Sequence, residues 1–139
     1  MPSFSNFDEL QGYLNWKISL AIDAATDRLL DELQTIIQAR YYDLYPNPKV
    51  YQRTYAFLGS ASKKMFGQLT GMVFMDEDCM NYGEFWSAEQ QLEYASEGYH
   101  GRKDIKTEGK FWEEFIDFCK TNCFKILKEE MIKQGIPLK

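Results

Sequence analysis

An α+β fold is predicted: a long N-terminal helix, a small antiparallel β-sheet, and a C-terminal helix packed on that sheet. Three observations predict it. Apolar residues recur in steps of three and four from Phe7 to Ile36, they do so again from Trp112 to Met131, and the stretch between is rich in Tyr, Thr, Val, Phe and Gly. At 139 residues the chain is read as one domain, long enough to bury a core without disulfide or metal staples.

The first helix is expected from about 7 to about 42. Asn6 or Ser5 can cap it, and Asn6 followed by Glu9 has capping-box spacing. Phe7, Leu10, Leu14, Ile18, Ile22, Ala25, Leu29, Leu33 and Ile36 form one stripe, with Asp8, Asn15, Asp23, Asp27, Asp31 and Gln38 opposite. Pro46 and Pro48 stop it. A helix of this length spans about 50 Å at 1.5 Å per residue, more than a small domain covers, so its first turns are expected to project or bend.

The β region is expected over about 50–99. Val50–Leu58 reads as a strand with Tyr51, Arg53, Tyr55 and Phe57 on one face. Gly59–Lys64 reads as a turn and Met65–Met75 as a second β segment, with Gly67 and Gly71 as turn or bulge positions. A polar loop follows over Asp76–Asn81. Tyr82–Gln91 holds a short strand near Glu84–Trp86 or a helical turn, and Leu92–Tyr99 fits helix or strand. His100–Thr107 reads as a loop.

The last helix is expected from about 108 to about 134, with Thr107 as its cap. Its buried face would carry Trp112, Phe115, Ile116, Cys119, Cys123, Ile126, Leu127 and Met131, widened by Phe111, Phe118 and Phe124. Gly135 and Pro137 stop it.

Composition narrows the function classes. The net charge of −5 and the absence of a basic stripe argue against a nucleic-acid binder. Seven acidic residues and no Lys or Arg lie between Asp76 and Glu97, whereas Arg102–Lys110 holds four basic residues against Asp104 and Glu108. Such blocks pair within or between subunits, or remain solvated. No secretory leader, no membrane span and no disulfide framework are visible, which points to a protein made in a reducing cytosol.

Several chemistries compete with plainer roles. Cys79, Cys119, Cys123 and His100 are all the soft metal ligands the chain has, and Cys₃His is a zinc set. The spacing is not that of a zinc knuckle, and both helical cysteines fall on the apolar stripe, so no metal site is assigned. Asp76-Glu77-Asp78 lacks the glycine and distal Glu of a calcium loop. A Ser/His or Cys/His nucleophile would depend on the lone His100. Gly67-x-x-x-Gly71 is not followed by Lys and Ser or Thr, so it is no phosphate loop. No enzyme activity and no cofactor are expected.

One segment carries a resemblance. Arg53-Thr54-Tyr55-Ala56-Phe57-Leu58-Gly59-Ser60-Ala61 follows the long helix; Tyr94-Ala95-Ser96-Glu97-Gly98, the turn His100-Gly101 and Phe111-Trp112-x-x-Phe115 come after it in order. From about Phe7 to Lys133 this layout resembles the siphophage tail-completion, or head–tail neck, proteins. It departs from them at Tyr55, where a glycine is common, and in the acidic aromatic loop Asp76–Gln91.

The resemblance implies a structural virion protein. It would form a ring, typically hexameric, at the head–tail junction or tail end and complete the tail for head joining. Its partners would be copies of itself, a head-completion or connector protein and the tail-tube protein, with DNA only as passing cargo and no membrane. It would reside in the virion tail or neck after synthesis in the bacterial host cytoplasm. Tyr82, Phe85 and Trp86 are candidate anchors in a neighbouring subunit or the tube. Tyr51, Arg53 and Tyr55 are further interface candidates, Arg53 pairing either with a neighbour or with its own chain. The alternative is a small prophage-encoded acidic module that inhibits or scaffolds a host protein.

Overall fold

The structure is a computed structural model that describes residues 2–43, 56–79, 87–97 and 109–138. Its first helix, α1, runs Phe7–Ile37 and is the spine of the fold. The Asn6 side chain accepts the Glu9 backbone N–H at 2.9 Å, and Glu9 reaches back to accept the Ser5 N–H at 2.9 Å. The capping box predicted from the Asn6–Glu9 spacing is therefore formed, with its return bond one residue earlier.

At its C-terminal end α1 passes into a π-helical turn, Gln38–Tyr42, closed by the Asp43 N–H on the Gln38 carbonyl at 2.8 Å. A π turn uses more residues per revolution than an α turn. Tyr41 and Tyr42 both end up buried, their rings edge to face at 5.0 Å. Tyr41 then meets Phe57 at 4.9 Å, and Phe57 meets Phe111 edge to face at 5.4 Å. This aromatic chain lies in the main core with Leu33, Ile36, Ile37, Ala61, Ala95 and Phe115. Burying each large side chain contributes about 1.5–3 kcal/mol.

The middle of the chain corrects the expected boundaries. Ala56–Gly59 is a short helix, α2, not the end of a strand. Ala56 and Leu58 are good helix formers, and tertiary contacts fix the turn: the Phe57 ring is 2% exposed in the core, and the Leu58 N–H donates to the Tyr42 hydroxyl at 3.2 Å. The first strand, β1, is Ala61–Phe66, whose first four residues fall where a turn was expected, and β2 is Thr70–Met75, within the expected β segment. They pair antiparallel from Ala61 opposite Met75 to Phe66 opposite Thr70. Gly67 opens the connecting turn at φ +63°, a left-handed conformation that glycine adopts without strain. Glu77–Cys79 is one 3₁₀ turn inside the expected polar loop. Leu92–Glu97 resolves as helix, within α3, Ala88–Glu97.

The C-terminal helix, α4, spans Phe111–Lys133. Thr107 lies outside the described residues. The helix enters through Gly109 and Lys110, both left-handed, and the Lys110 N–H donates to the Ser96 carbonyl of α3 at 2.8 Å. At the other end Gly135 (φ +84°) donates to Ile132 and Ile136 to Met131, a Schellman stop as Gly135 predicted. Phe111, Phe115 and Ile126 are buried as expected, but Phe124 is 87% exposed and Glu130 is buried instead.

Helix α4 packs antiparallel on α1. Arg28 of α1 pairs with Glu129 and Glu130, and Arg40 with Glu114. The hairpin packs on another side of α1, and Val73 and Met75 of β2 join the core that holds Phe111 and Phe115, where α4 meets the sheet. The fold is thus α+β with the predicted element types, α1 being shared by both layers.

Candidate assembly surface

Tyr51, Arg53, Tyr55, Tyr82, Phe85 and Trp86 all lie outside the described residues. So does His100. The described part of the resemblance segment has a structural role. Ser60 is fully buried; its hydroxyl donates to the Phe57 carbonyl at 2.6 Å, and its carbonyl accepts the Asp76 N–H at 2.7 Å. It locks α2 to both edges of the hairpin.

A surface that stands out instead is apolar and sits at one end of the molecule. No residue of α1 before Ala21 is buried. Phe7 is 73% exposed and Trp16 50%, with Leu14 and Leu20 also open. The core lies at the other end of α1, around Leu33–Tyr42. The hairpin starts there, crosses α1 where Gly71 lies against Ile22 and Thr26, and so directs its tip toward the first turns of α1. That tip exposes Phe66 and Leu69. Helix α4, running antiparallel, stops abreast of the middle of α1, where Glu129 and Glu130 meet Arg28, and so leaves the first turns of α1 without cover from it. Scattered apolar residues are normal on a monomer; their concentration along the first part of α1 and at the hairpin tip makes this the candidate assembly surface.

The first turns of α1 are well formed without cover. Phe4, Tyr13 and Trp16 stack in sequence at 5.2 and 5.9 Å, and the Lys17 ammonium lies 4.9 Å from the Trp16 ring centre. The sequence stripe already pointed here, since Phe7, Leu10 and Leu14 continue a core pattern past the part of α1 that the rest of the chain covers.

Ion pairs fasten the body behind this end. Lys63 of β1 bridges Asp23 and Asp27 of α1, and the Asp23 and Asp27 hydrogen bonds push its pKa up. Glu130, nearly buried, takes Lys133 at 2.9 Å and Arg28 at 3.0 Å, which hold its carboxyl below the ordinary range. The Arg28 guanidinium is raised in turn by Glu129 and Glu130.

The cysteines do not converge. Cys79 is exposed, with its thiol on the Asp76 carboxylate at 3.5 Å, and that bond raises its pKa. Burial pushes the Cys119 thiol up. Among the described residues no three His, Cys, Asp or Glu side chains are grouped to hold a metal ion. A second concave feature, a mostly apolar hollow of about 450 Å³, lies between β2, α3 and the start of α4, with Met75, Leu92 and Trp112 in its wall. No described helix is long and apolar enough to cross a membrane.

Helix, hairpin and helix, with an uncovered apolar end, define a small α+β module built around one spine helix. The chain belongs to the YomN family, whose profile matches residues 6–134. The family name points to phage or prophage proteins. Neither the curated proteins nor the solved structures contain a match to this chain.

Proposed function

We propose that this chain is a structural protein of a phage or prophage particle, not an enzyme. It oligomerises into a ring at the head–tail junction or tail end and completes the tail for head joining. The observation that carries this reading is the apolar end, where the first part of α1 and the hairpin tip expose Phe7, Trp16, Phe66 and Leu69. A surface of this kind gains from cover by another protein. The family name and the order of motifs from Arg53 to Phe115 support the same reading. The decisive experiment deletes the gene from an inducible prophage and examines the lysate by electron microscopy. Filled heads beside unjoined tails are expected, with the protein found in purified wild-type particles by mass spectrometry. Normal particles from the deletion strain would sink the proposal.

The net charge of −5 and the acidic run Asp76–Glu97 favour one second reading, a prophage-encoded module that inhibits or scaffolds a basic host protein. In that case the protein is absent from particles and found in a defined complex in the infected cell.

A further inference from the structure

We infer that the outer edge of β2 is a docking strip for an extended, basic segment of a partner protein, which adds to the hairpin as a third strand. The strip lies at the core end of the fold, away from the apolar end, and does not depend on the assembly proposed there. The Asp76 N–H donates to the Ser60 carbonyl at 2.7 Å, and these two residues continue the register in which Ala61 faces Met75. Bonded and non-bonded pairs alternate along an antiparallel ladder. Ser62 with Phe74 and Lys64 with Met72 are therefore bonded pairs, whereas the N–H and C=O groups of Val73 and Met75 point away from β1. Among the described residues no hydrogen-bond partner meets them there, and the sheet has no third strand.

Beside that edge lies the hollow of about 450 Å³ between β2, α3 and the start of α4, and Val73, Phe74 and Met75 all line it. Successive strand residues point their side chains to opposite faces, so a hollow that touches three in a row runs along the strand's edge. An unpaired edge that borders an apolar groove takes a peptide as an added strand: backbone bonds hold it, and alternate side chains enter the groove. Leu92, Phe111 and Trp112 line the groove, so the side chains that enter it are apolar. Charge sets the residues between them. Glu93 stands in the wall, Glu89 and Glu97 lie one turn to either side of it on the same exposed face of α3, and Asp76, Glu77 and Asp78 follow Met75 directly. Lys110, whose N–H bonds the end of α3, belongs to a separate polar hollow with Glu113 and Asp117. A segment with Lys or Arg between its apolar residues therefore complements this rim, and an acidic one is repelled.

Fluorescence anisotropy and amide exchange of the full chain test this, with a short labelled peptide of alternating lysine and valine as the probe. The peptide is expected to bind and to slow exchange at the Val73 and Met75 amides, while Phe74, already bonded to Ser62, stays unchanged. Glutamate for lysine in the peptide, methylation of its alternate backbone nitrogens, and Glu93→Lys in the protein should each weaken binding at least about tenfold. Glu93 is exposed, so its replacement leaves the fold intact, which circular dichroism checks. No binding, equal binding by the acidic peptide, the methylated peptide or the Glu93→Lys protein, or unchanged exchange at Val73 and Met75 would each overturn the inference. So would protection of these two amides without peptide. Protection that persists on dilution means that the chain itself fills the groove, and protection lost on dilution means that a second copy does.

Discussion

Gly71 of β2 lies so close to Thr26 of α1 that a side chain at residue 71 would occupy the space of the Thr26 hydroxyl. Thr26 is buried, and its hydroxyl already donates to the Ile22 carbonyl at 2.7 Å, so it is not free to swing away. An added Cβ would also press on the Ile22 side chain at 3.2 Å and the Met65 sulfur at 3.3 Å. Gly71→Ala should therefore cost about 1–3 kcal/mol in urea unfolding, as overpacking does. Thr26→Ala in the same chain should recover part of that loss, a coupling that a double-mutant cycle reads directly.

The aromatic chain that ends the spine should dominate stability. Phe57→Ala removes the ring between Tyr41 and Phe111 and should cost about 3–5 kcal/mol. Phe124→Ala, at an 87% exposed ring, should change stability by no more than about 0.5 kcal/mol. Equal effects at the two positions would contradict this core.

Glu130 should make the fold acid-sensitive. Lys133 and Arg28 hold its carboxyl below the ordinary value of 4.5, so the ion pairs stabilise the fold above that pH. Their contribution is lost as pH falls through the lower, folded-state value. Glu130→Gln should cost about 1–3 kcal/mol at neutral pH, and the gap from wild type should shrink in acid. Parallel unfolding curves at neutral and acid pH would refute it.

Lys63 should act at the alkaline end. Its hydrogen bonds to Asp23 and Asp27 raise its pKa above 10.5. Its contribution is therefore complete below 10.5 and fades as pH rises through the folded-state value. Because both acids are well exposed, Lys63→Met should cost only about 0.2–1 kcal/mol at neutrality. Thermal melts from neutral to strongly alkaline pH should show the difference vanish.

The elements whose evidence is local were legible in the sequence. The Asn6–Glu9 cap, the stripe of α1 and the Gly135 stop are set by neighbours within four residues, and each lies where the pattern put it. The hairpin was displaced because its evidence is not local. Ala56-Phe57-Leu58 continues the alternating pattern of Val50–Tyr55, but Phe57 is drawn into a site built by Tyr41 and Phe111, which lie far from it in sequence. Ser62-Lys63-Lys64 reads as polar turn, yet Lys63 is held in the strand by two acids of α1. The start of α4 was hidden for a similar reason, since a left-handed Lys110 is stabilised by the Ser96 carbonyl of another helix. The apolar end was half visible: the stripe from Phe7 to Leu14 was plain, but which part of it the other elements would leave open depends on where α4 and the hairpin stop.

The wide turn at Gln38–Tyr42 has a consequence for how this chain tolerates changes in length. A π turn holds one residue more per revolution than an α turn, so it absorbs an extra residue without turning what lies beyond it. Dropping Ala39 would let an ordinary helical repeat form there and leave Tyr41 and Tyr42 near their present facing, toward Phe57 and the Leu58 N–H. Natural relatives should accordingly vary by one residue at this turn as well as at the Gly67–Leu69 bend.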